Sequence, residues 1–179
     1  MEQTTLEVGE HLADIDPAFG HWFAGFVDGE GCFDLHAVHC ATKTYYYPRL
    51  TIGLRDDDAP VLGEIQRRTG LGSITPRRPK GGINPQVAWS VTRKNEVAPL
   101  CALLDRYPLR AKKADDYAIW REAALLWSSL RRGSHWHGAN DDYDKLKGYY
   151  DKLRESRRYD QPANPVTEPN TRPVTGFAG

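Results

Sequence analysis

Two acidic residues, Asp28 and Glu30, alternate with glycines at the end of the apolar run WFAGFV. Carboxylate oxygens are donors that Mg²⁺ prefers, and this ion combines one or two of them with water and phosphate oxygens. Ala24 and Gly25 lie just before the acids and are small enough for two helices to pack backbone against backbone. The pattern predicts a closely packed helix that ends in a metal-binding carboxylate. The alternative is an ordinary buried helix that ends at glycine with two exposed acids.

The helix that carries these residues has recognisable ends. Asp16 is a candidate N-cap, and Pro17 suits the first helical position. The glycines around Glu30 end the helical pattern. We therefore predict a motif helix over residues 17–30, preceded by a polar N-terminal arm over residues 1–16.

Strands and further helices follow the motif helix. Alternating apolar and polar residues predict four strands, in the segments GCFDLHAVHC, YPRLTIGLR, GSITPRR and PQVAWSVTR. Helical spacing predicts a helix that starts within residues 56–60 and runs to Gly70, and further helices over residues 95–105, 115–131 and 140–157. Residues 158–179 contain four prolines and little apolar surface, so we expect this tail to be disordered or extended.

The segment FAGFVDGEG resembles the signature of the LAGLIDADG homing endonucleases. Four of its positions are identical to that signature: Ala24, Gly25, Asp28 and Gly31. Glu30 replaces the final Asp of the signature, a substitution that the family commonly shows. The resemblance implies an α+β fold of αββαββα order, with a four-stranded antiparallel sheet covered by helices on one face and C-terminal helices added. The endonuclease domain would then cover residues 17–157.

The resemblance also implies roles for the motif residues. Glu30 would be catalytic and would bind Mg²⁺ together with the backbone carbonyl of Gly29. Asp28 would cap or brace the helix ends and support the metal site from there. The subunit interface of a homodimer would be formed by Phe23, Ala24, Gly25 and Val27.

A second segment, YPLRAKK, resembles a stretch that precedes a late helix in the same family. In relatives, a basic residue from this stretch reaches the scissile phosphate and the attacking water. Lys113 occupies the matching position, and Lys112 is the alternative. An ordinary basic flank of a helix would look the same. Some relatives also place a Gln near the end of the second strand, but Leu54–Arg55 offers none, which leaves Arg55 or solvent for that role.

The charge distribution favours a nucleic-acid partner although the net charge is zero. Residues 31–113 contain fourteen Lys and Arg against seven acids, whereas residues 1–30 contain seven acids and neither Lys nor Arg. On a β ribbon in the major groove, Arg reads guanine, and Thr or Gln reads other base edges. The candidate DNA-binding residues are Asp34, His36, Arg49, Thr51, Arg55, Thr75, Arg77, Arg78, Lys80 and Gln86.

The combined interpretation is a Mg²⁺-dependent homing endonuclease that makes a staggered double-strand cut. Because the sequence contains one motif, two chains would pair, and their two-fold symmetry predicts a pseudo-palindromic double-stranded DNA target. Two alternatives share the fold: a catalytically silent DNA-binding regulator and an intron RNA maturase. A protein-interaction domain is the alternative from an unrelated class.

The remaining features carry less information. His135 and His137 flank Trp136 and suggest a metal pair, but no further ligand lies nearby, so an exposed loop tip is the favoured interpretation. Trp120 and Trp127 are expected in the core. Three cysteines without zinc-type spacing favour reduced thiols. An acidic N-terminus without a signal-peptide pattern and the lack of a membrane-length apolar run favour an intracellular location without membrane contact, in a bacterial or phage-infected cytoplasm or in an organelle.

Overall fold

The computed structural model describes residues 12–41, 43–77, 85–130 and 140–158. Several sequence-based predictions lie outside these residues: the arm over residues 1–11, Arg78, Lys80, His135, His137 and the tail over residues 159–179.

The motif helix α1 (Pro17–Glu30) has the predicted bounds. The Asp16 side chain caps it by accepting a hydrogen bond from the Phe19 backbone N–H at 3.0 Å. Gly31 then enters the first strand directly, with an extended backbone at φ −69°. A Cβ atom at this glycine would lie 2.6 Å from the Val27 carbonyl oxygen, so the abrupt change from helix to strand requires glycine.

The four strands form one antiparallel sheet in the order β1-β2-β4-β3. Their bounds are β1 (Gly31–His39), β2 (Thr44–Arg55), β3 (Ser73–Arg77) and β4 (Gln86–Val91). Strand β2 begins three residues earlier than the predicted Tyr47, because Thr44, Tyr45 and Tyr46 pair with the far end of β1. The long β1–β2 hairpin is therefore the most extended part of the sheet.

Helices follow the strands in the predicted order. They are α2 (Ala59–Thr69), which follows a 3-10 turn at Asp56–Asp58, then α3 (Lys94–Arg106), α4 (Lys113–Ser129) and α5 (Asn140–Ser156). The αββαββα order and the C-terminal helices are thereby confirmed. In the described part of the chain, no helix is both long enough and apolar enough to span a bilayer.

The core lies between one sheet face and the helices. Leu50, Ile52 and Trp89 on the sheet are completely buried, as are Phe23 of α1 and Leu62 of α2. Each such side chain contributes about 1.5–3 kcal/mol relative to an exposed position. Two residues of the predicted arm also belong to this core: Leu12 and Ile15 are buried. The predicted polar arm is therefore too long, because these two apolar side chains, which precede α1 in the sequence, already belong to the core.

The C-terminal helices pack against β1 and β2. Trp120 of α4 is fully buried, as expected, and its indole N–H donates to the Asp34 carbonyl at 3.1 Å. Arg157, just after α5, donates to the Phe33 carbonyl. These two bonds tie the backbone of β1, an edge strand of the sheet, to the C-terminal helices. Trp127 is only half-buried and contacts the Tyr47 ring edge-on, with ring centroids 6.1 Å apart.

Candidate active site

The carboxyl end of α1 brings an acid and a lysine together. Glu30 is the last residue of the helix and is exposed. Lys113, the first residue of α4, donates its ammonium to the carbonyl of Asp28 at 2.8 Å and to that of Gly29 at 2.5 Å. The carbonyl end of a helix carries partial negative charge, so it attracts this cation. Of the two candidate lysines, Lys113 is the one that the structure places at the motif; Lys112 is exposed at the start of α4.

Asp28 holds the segment that delivers this lysine. Its Oδ2 atom accepts hydrogen bonds from the backbone N–H groups of Arg110 and Ala111, at 2.6 and 3.1 Å. Hydrogen bonds to an ionised acceptor contribute more than neutral ones, about 1.5–3 kcal/mol each. Asp28 thus braces the segment before α4 against the end of α1. The other oxygen, Oδ1, is buried and has no partner among the described residues.

Tyr107 anchors the same segment further along α1. The ring is buried, and a Cβ atom on Gly20 would lie only 2.3 Å from it, so the helix must carry glycine there. His21 meets the ring edge-on, with centroids 5.0 Å apart. Sequence reasoning missed Gly20; its one signal was a glycine in the interior of a helix, where alanine would be favoured.

The oxygen donors at this end fit a magnesium ion. Glu30 offers a carboxylate, and the adjacent Gly29 carbonyl has a second lone pair beside the one that Lys113 uses. No cluster of three or more His, Cys, Asp or Glu residues capable of holding a metal occurs in the described ranges. A single protein carboxylate suits Mg²⁺, which retains waters and binds substrate phosphates instead of using an all-protein cage.

The predicted subunit interface is wrong at three of its four residues. Phe23, Ala24 and Val27 are 0%, 4% and 0% exposed, because this side of α1 packs into the core of its own subunit. Gly25 is the exception and is exposed. The prediction used residue size and apolar character, which do not distinguish the two sides of a helix that is apolar on both.

The outward side of α1 carries a stripe, here called the exposed stripe, in which Trp22, Gly25 and Gly29 are exposed and Phe26 is half-buried. Trp22 is 41% exposed and stacks on Phe26, with ring centroids 5.1 Å apart and planes 14° apart. A Cβ atom on either glycine of the stripe would meet nothing within 4 Å. The spacing of i, i+3, i+4 and i+7 is that of one helix face.

The candidate DNA-binding residues in the described strands lie on the sheet face opposite the core, here called the polar sheet face. Those that are exposed or half-buried are Asp34, His36, Arg49, Arg55, Thr75, Arg77 and Gln86. Thr51 is only 7% exposed, and its hydroxyl hydrogen-bonds with that of Ser90 at 3.1 Å. Its assignment as an accessible contact was therefore wrong, because the neighbouring strand covers it.

The arginines of β2 are held by aspartates. Arg49 contacts Asp34 of β1 at 2.7 Å, and Arg55 contacts Asp57 of the following turn at 2.7 Å. The strand register pairs Gly31 with Ile52, so the next β2 residue, Gly53, is level with the end of α1.

Comparison with known proteins agrees with this arrangement. The family model described as LAGLIDADG endonuclease matches residues 23–124, more than half of the chain. A probable intron-encoded endonuclease, Cox1-I1b of Schizosaccharomyces pombe, is 27% identical over 111 residues, which are 61% of this chain and 28% of that protein. The chain spans about a quarter of the length of the curated relatives that it matches.

Solved structures share the fold. The archaeal intron-encoded homing endonuclease I-Vdi141I, complexed with DNA, superposes with a TM-score of 0.66 at 20% identity, over 80% of this chain and 87% of that one. The meganuclease I-AabMI, bound to uncleaved DNA, gives a TM-score of 0.61 at 24% identity, over 76% and 44% of the two chains. The motif helix, the sheet order and the family match together show that the chain belongs to the LAGLIDADG endonuclease family.

Proposed function

We propose that this chain is a site-specific homing endonuclease that cuts double-stranded DNA as a homodimer, with Mg²⁺ and a staggered cut. One observation carries the proposal: the exposed Glu30 lies at the end of α1, where Lys113 is bound and where the exposed stripe ends. A catalytic acid, a phosphate-binding cation and a contact surface thereby share a single helix end.

The exposed stripe supports pairing of two chains through α1. Gly25 and Gly29 leave room for a second helix at close distance, and the Trp22–Phe26 stack supplies apolar surface that is otherwise in contact with water. A two-fold contact at this stripe would place one Glu30 on each side of the axis. Two acids beside one axis suit a cut in each strand of a pseudo-palindromic site.

The residues at the helix end divide the chemistry between them. Glu30 and the Gly29 carbonyl would hold Mg²⁺, which, when bound, activates water and offsets charge on the phosphate. An ammonium group has three donors. Two donors of Lys113 go to the carbonyls of Asp28 and Gly29, so the third is available for an oxygen of the scissile phosphate. Asp28 keeps this lysine in place by binding the backbone just before it.

Cleavage of a plasmid library tests the proposal. The library carries randomised target sites, together with the DNA that flanks the gene, because homing targets resemble the insertion site. We expect Mg²⁺-dependent linearisation of selected plasmids by the wild-type protein and none by Glu30→Gln. The variant should still bind the selected DNA with Ca²⁺ in place of Mg²⁺.

Four outcomes would contradict the proposal. Equal cleavage by Glu30→Gln would remove the catalytic assignment. Sequence-specific binding without cleavage by the wild type would favour the silent regulator, and preferential binding of structured intron RNA would favour the maturase. If the protein stays monomeric at micromolar concentration in the presence of target DNA, the homodimer assignment is contradicted.

A further inference from the structure

We propose that Asp34 and Arg49 form a preorganised guanine-reading pair on the polar sheet face, in which Asp34 positions the Arg49 guanidinium for one base of each half-site. The inference rests on the proposed DNA-binding function and extends it to a determinant of specificity.

The geometry of the pair is set by the β1–β2 hairpin. The register puts Asp34 directly opposite Arg49, and Nη2 of the arginine lies 2.7 Å from Oδ2 of the aspartate. Their side chains are 35% and 30% exposed, against 61% and 59% for the Arg55–Asp57 pair. Partial burial reduces screening by solvent, and residues directly opposite on antiparallel strands are close enough for their side chains to interact.

The pair leaves most of the guanidinium unused. Among the described residues Arg49 donates only from Nη2, to Asp34, and its Nε is buried, so the donors of Nη1 and the second proton of Nη2 remain. The Arg121–Asp105 pair between α4 and α3 is different, because Nε and Nη2 of the arginine contact both carboxylate oxygens at 2.6–2.9 Å. In such a pair, which only stabilises the fold, two arginine nitrogens occupy both carboxylate oxygens. Arg49 instead retains donors for the O6 and N7 atoms of guanine.

The C-terminal helices hold β1 at the same point. The Asp34 carbonyl accepts from the Trp120 indole, and the preceding carbonyl, that of Phe33, accepts from Arg157. These contacts restrain the backbone of β1 at Phe33 and Asp34, so the carboxylate that binds Arg49 is attached to restrained backbone. Binding groups held in place before association lose less entropy when the partner arrives. This gives α4 and α5 a part in recognition although they lie away from the polar sheet face.

The presence of Asp34 favours a base over a phosphate as the partner of Arg49. A carboxylate beside a phosphate contact would repel the DNA backbone, and an arginine alone serves phosphate well. Beside a base edge, the same carboxylate keeps the guanidinium from turning towards the backbone. Asp34 therefore lowers the nonspecific affinity for DNA, and it fixes the orientation of Arg49.

Selection from a randomised duplex library, with Ca²⁺ in place of Mg²⁺, tests the pair in the full chain. We expect the wild type to select guanine at one position of each half-site. Arg49→Lys keeps the charge but loses the planar guanidinium that can donate two hydrogen bonds to one base. The guanine preference should therefore fall about tenfold or more, with an unchanged salt dependence. Asp34→Asn should weaken the same preference while overall affinity stays equal or rises, because a negative charge is removed.

Asp57→Asn is the matched control, since it removes the same charge from the Arg55 pair at the end of β2. The guanine preference that depends on Arg49 should be unchanged in this variant. If Asp34→Asn raises affinity for every sequence by one factor and selects the same guanine, Asp34 has no positioning role. Retention of the preference by Arg49→Lys would also overturn the inference, and this variant decides the matter if thermal unfolding shows that Asp34→Asn does not fold. A wild type that selects no sequence contradicts the proposed function itself.

Discussion

The carboxyl end of α1 and the polar sheet face hold their charged groups in different ways. At the helix end, Asp28 and Lys113 bond to backbone atoms: two N–H groups and two carbonyls. On the sheet, Arg49 and Arg55 bond to carboxylate side chains. Backbone partners move only if the fold moves, whereas a side-chain partner can be exchanged for a ligand group. Under the proposed function, the fold therefore fixes the position of the catalytic groups, whereas the positions of the DNA-binding arginines depend on side chains that can change.

The largest expected effect tests the fixed end. Lys113→Met removes the ammonium that contacts the Asp28 and Gly29 carbonyls. We expect single-turnover cleavage to fall about 10²–10³-fold, the loss typical of a transition-state donor, with a much smaller change in DNA binding. Lys112→Met removes the same charge one residue earlier and should cost far less. Equal losses in the two variants would mean that general charge, and not the helix end, determines activity.

The second prediction concerns the exposed stripe. Gly25→Leu should raise the dimer dissociation constant at least tenfold, because a second helix can no longer approach. Gly63→Leu in α2 is the matched control, since a Cβ atom there also meets nothing within 4 Å of its own subunit. Analytical ultracentrifugation of both variants gives the result. If the two substitutions change association equally, the stripe is not the contact surface.

A third prediction loosens the anchor of the segment that carries Lys113. Gly20→Ala places a methyl group 2.3 Å from the Tyr107 ring, so the ring or the helix must shift. We expect the free energy of unfolding to fall by about 1–3 kcal/mol, the usual effect of overpacking a core. Chemical denaturation measures it. Gly148→Ala in α5 has open space at its Cβ position and should be neutral or stabilising.

The smallest expected effect lies on the sheet. Arg77→Gln removes an exposed cation of β3 from the polar sheet face. If this arginine contacts a phosphate, the slope of log K against log salt should shrink by about 1, with sequence preference retained. Arg67→Gln, on the exposed side of α2, should leave the slope unchanged. A loss of preference for one base would instead make Arg77 a reader of sequence, like Arg49.

Much of the site could be predicted because its signals are local. The N-cap at Asp16 and the glycine after Glu30 directly flank the motif helix, so its bounds followed from neighbouring residues. The roles of Trp22 and Thr51 did not follow, since burial depends on what packs against each side. The start of β2 was missed for a related reason: Thr44–Tyr46 form strand because they pair with β1, not because their own sequence alternates.

The amino-acid sequence by itself determined the order of helices and strands, the acid that ends α1 and the basic character of the sheet, because periodicity, caps and charge act over a few residues. The tertiary structure alone decided which side of α1 is covered, which of two adjacent lysines reaches the helix end and which aspartate grips Arg49. Each of these depends on contacts between segments far apart in the chain, such as Asp28 with Arg110. Residue spacing along the chain does not predict such contacts, because they form only when strand register and helix packing are established.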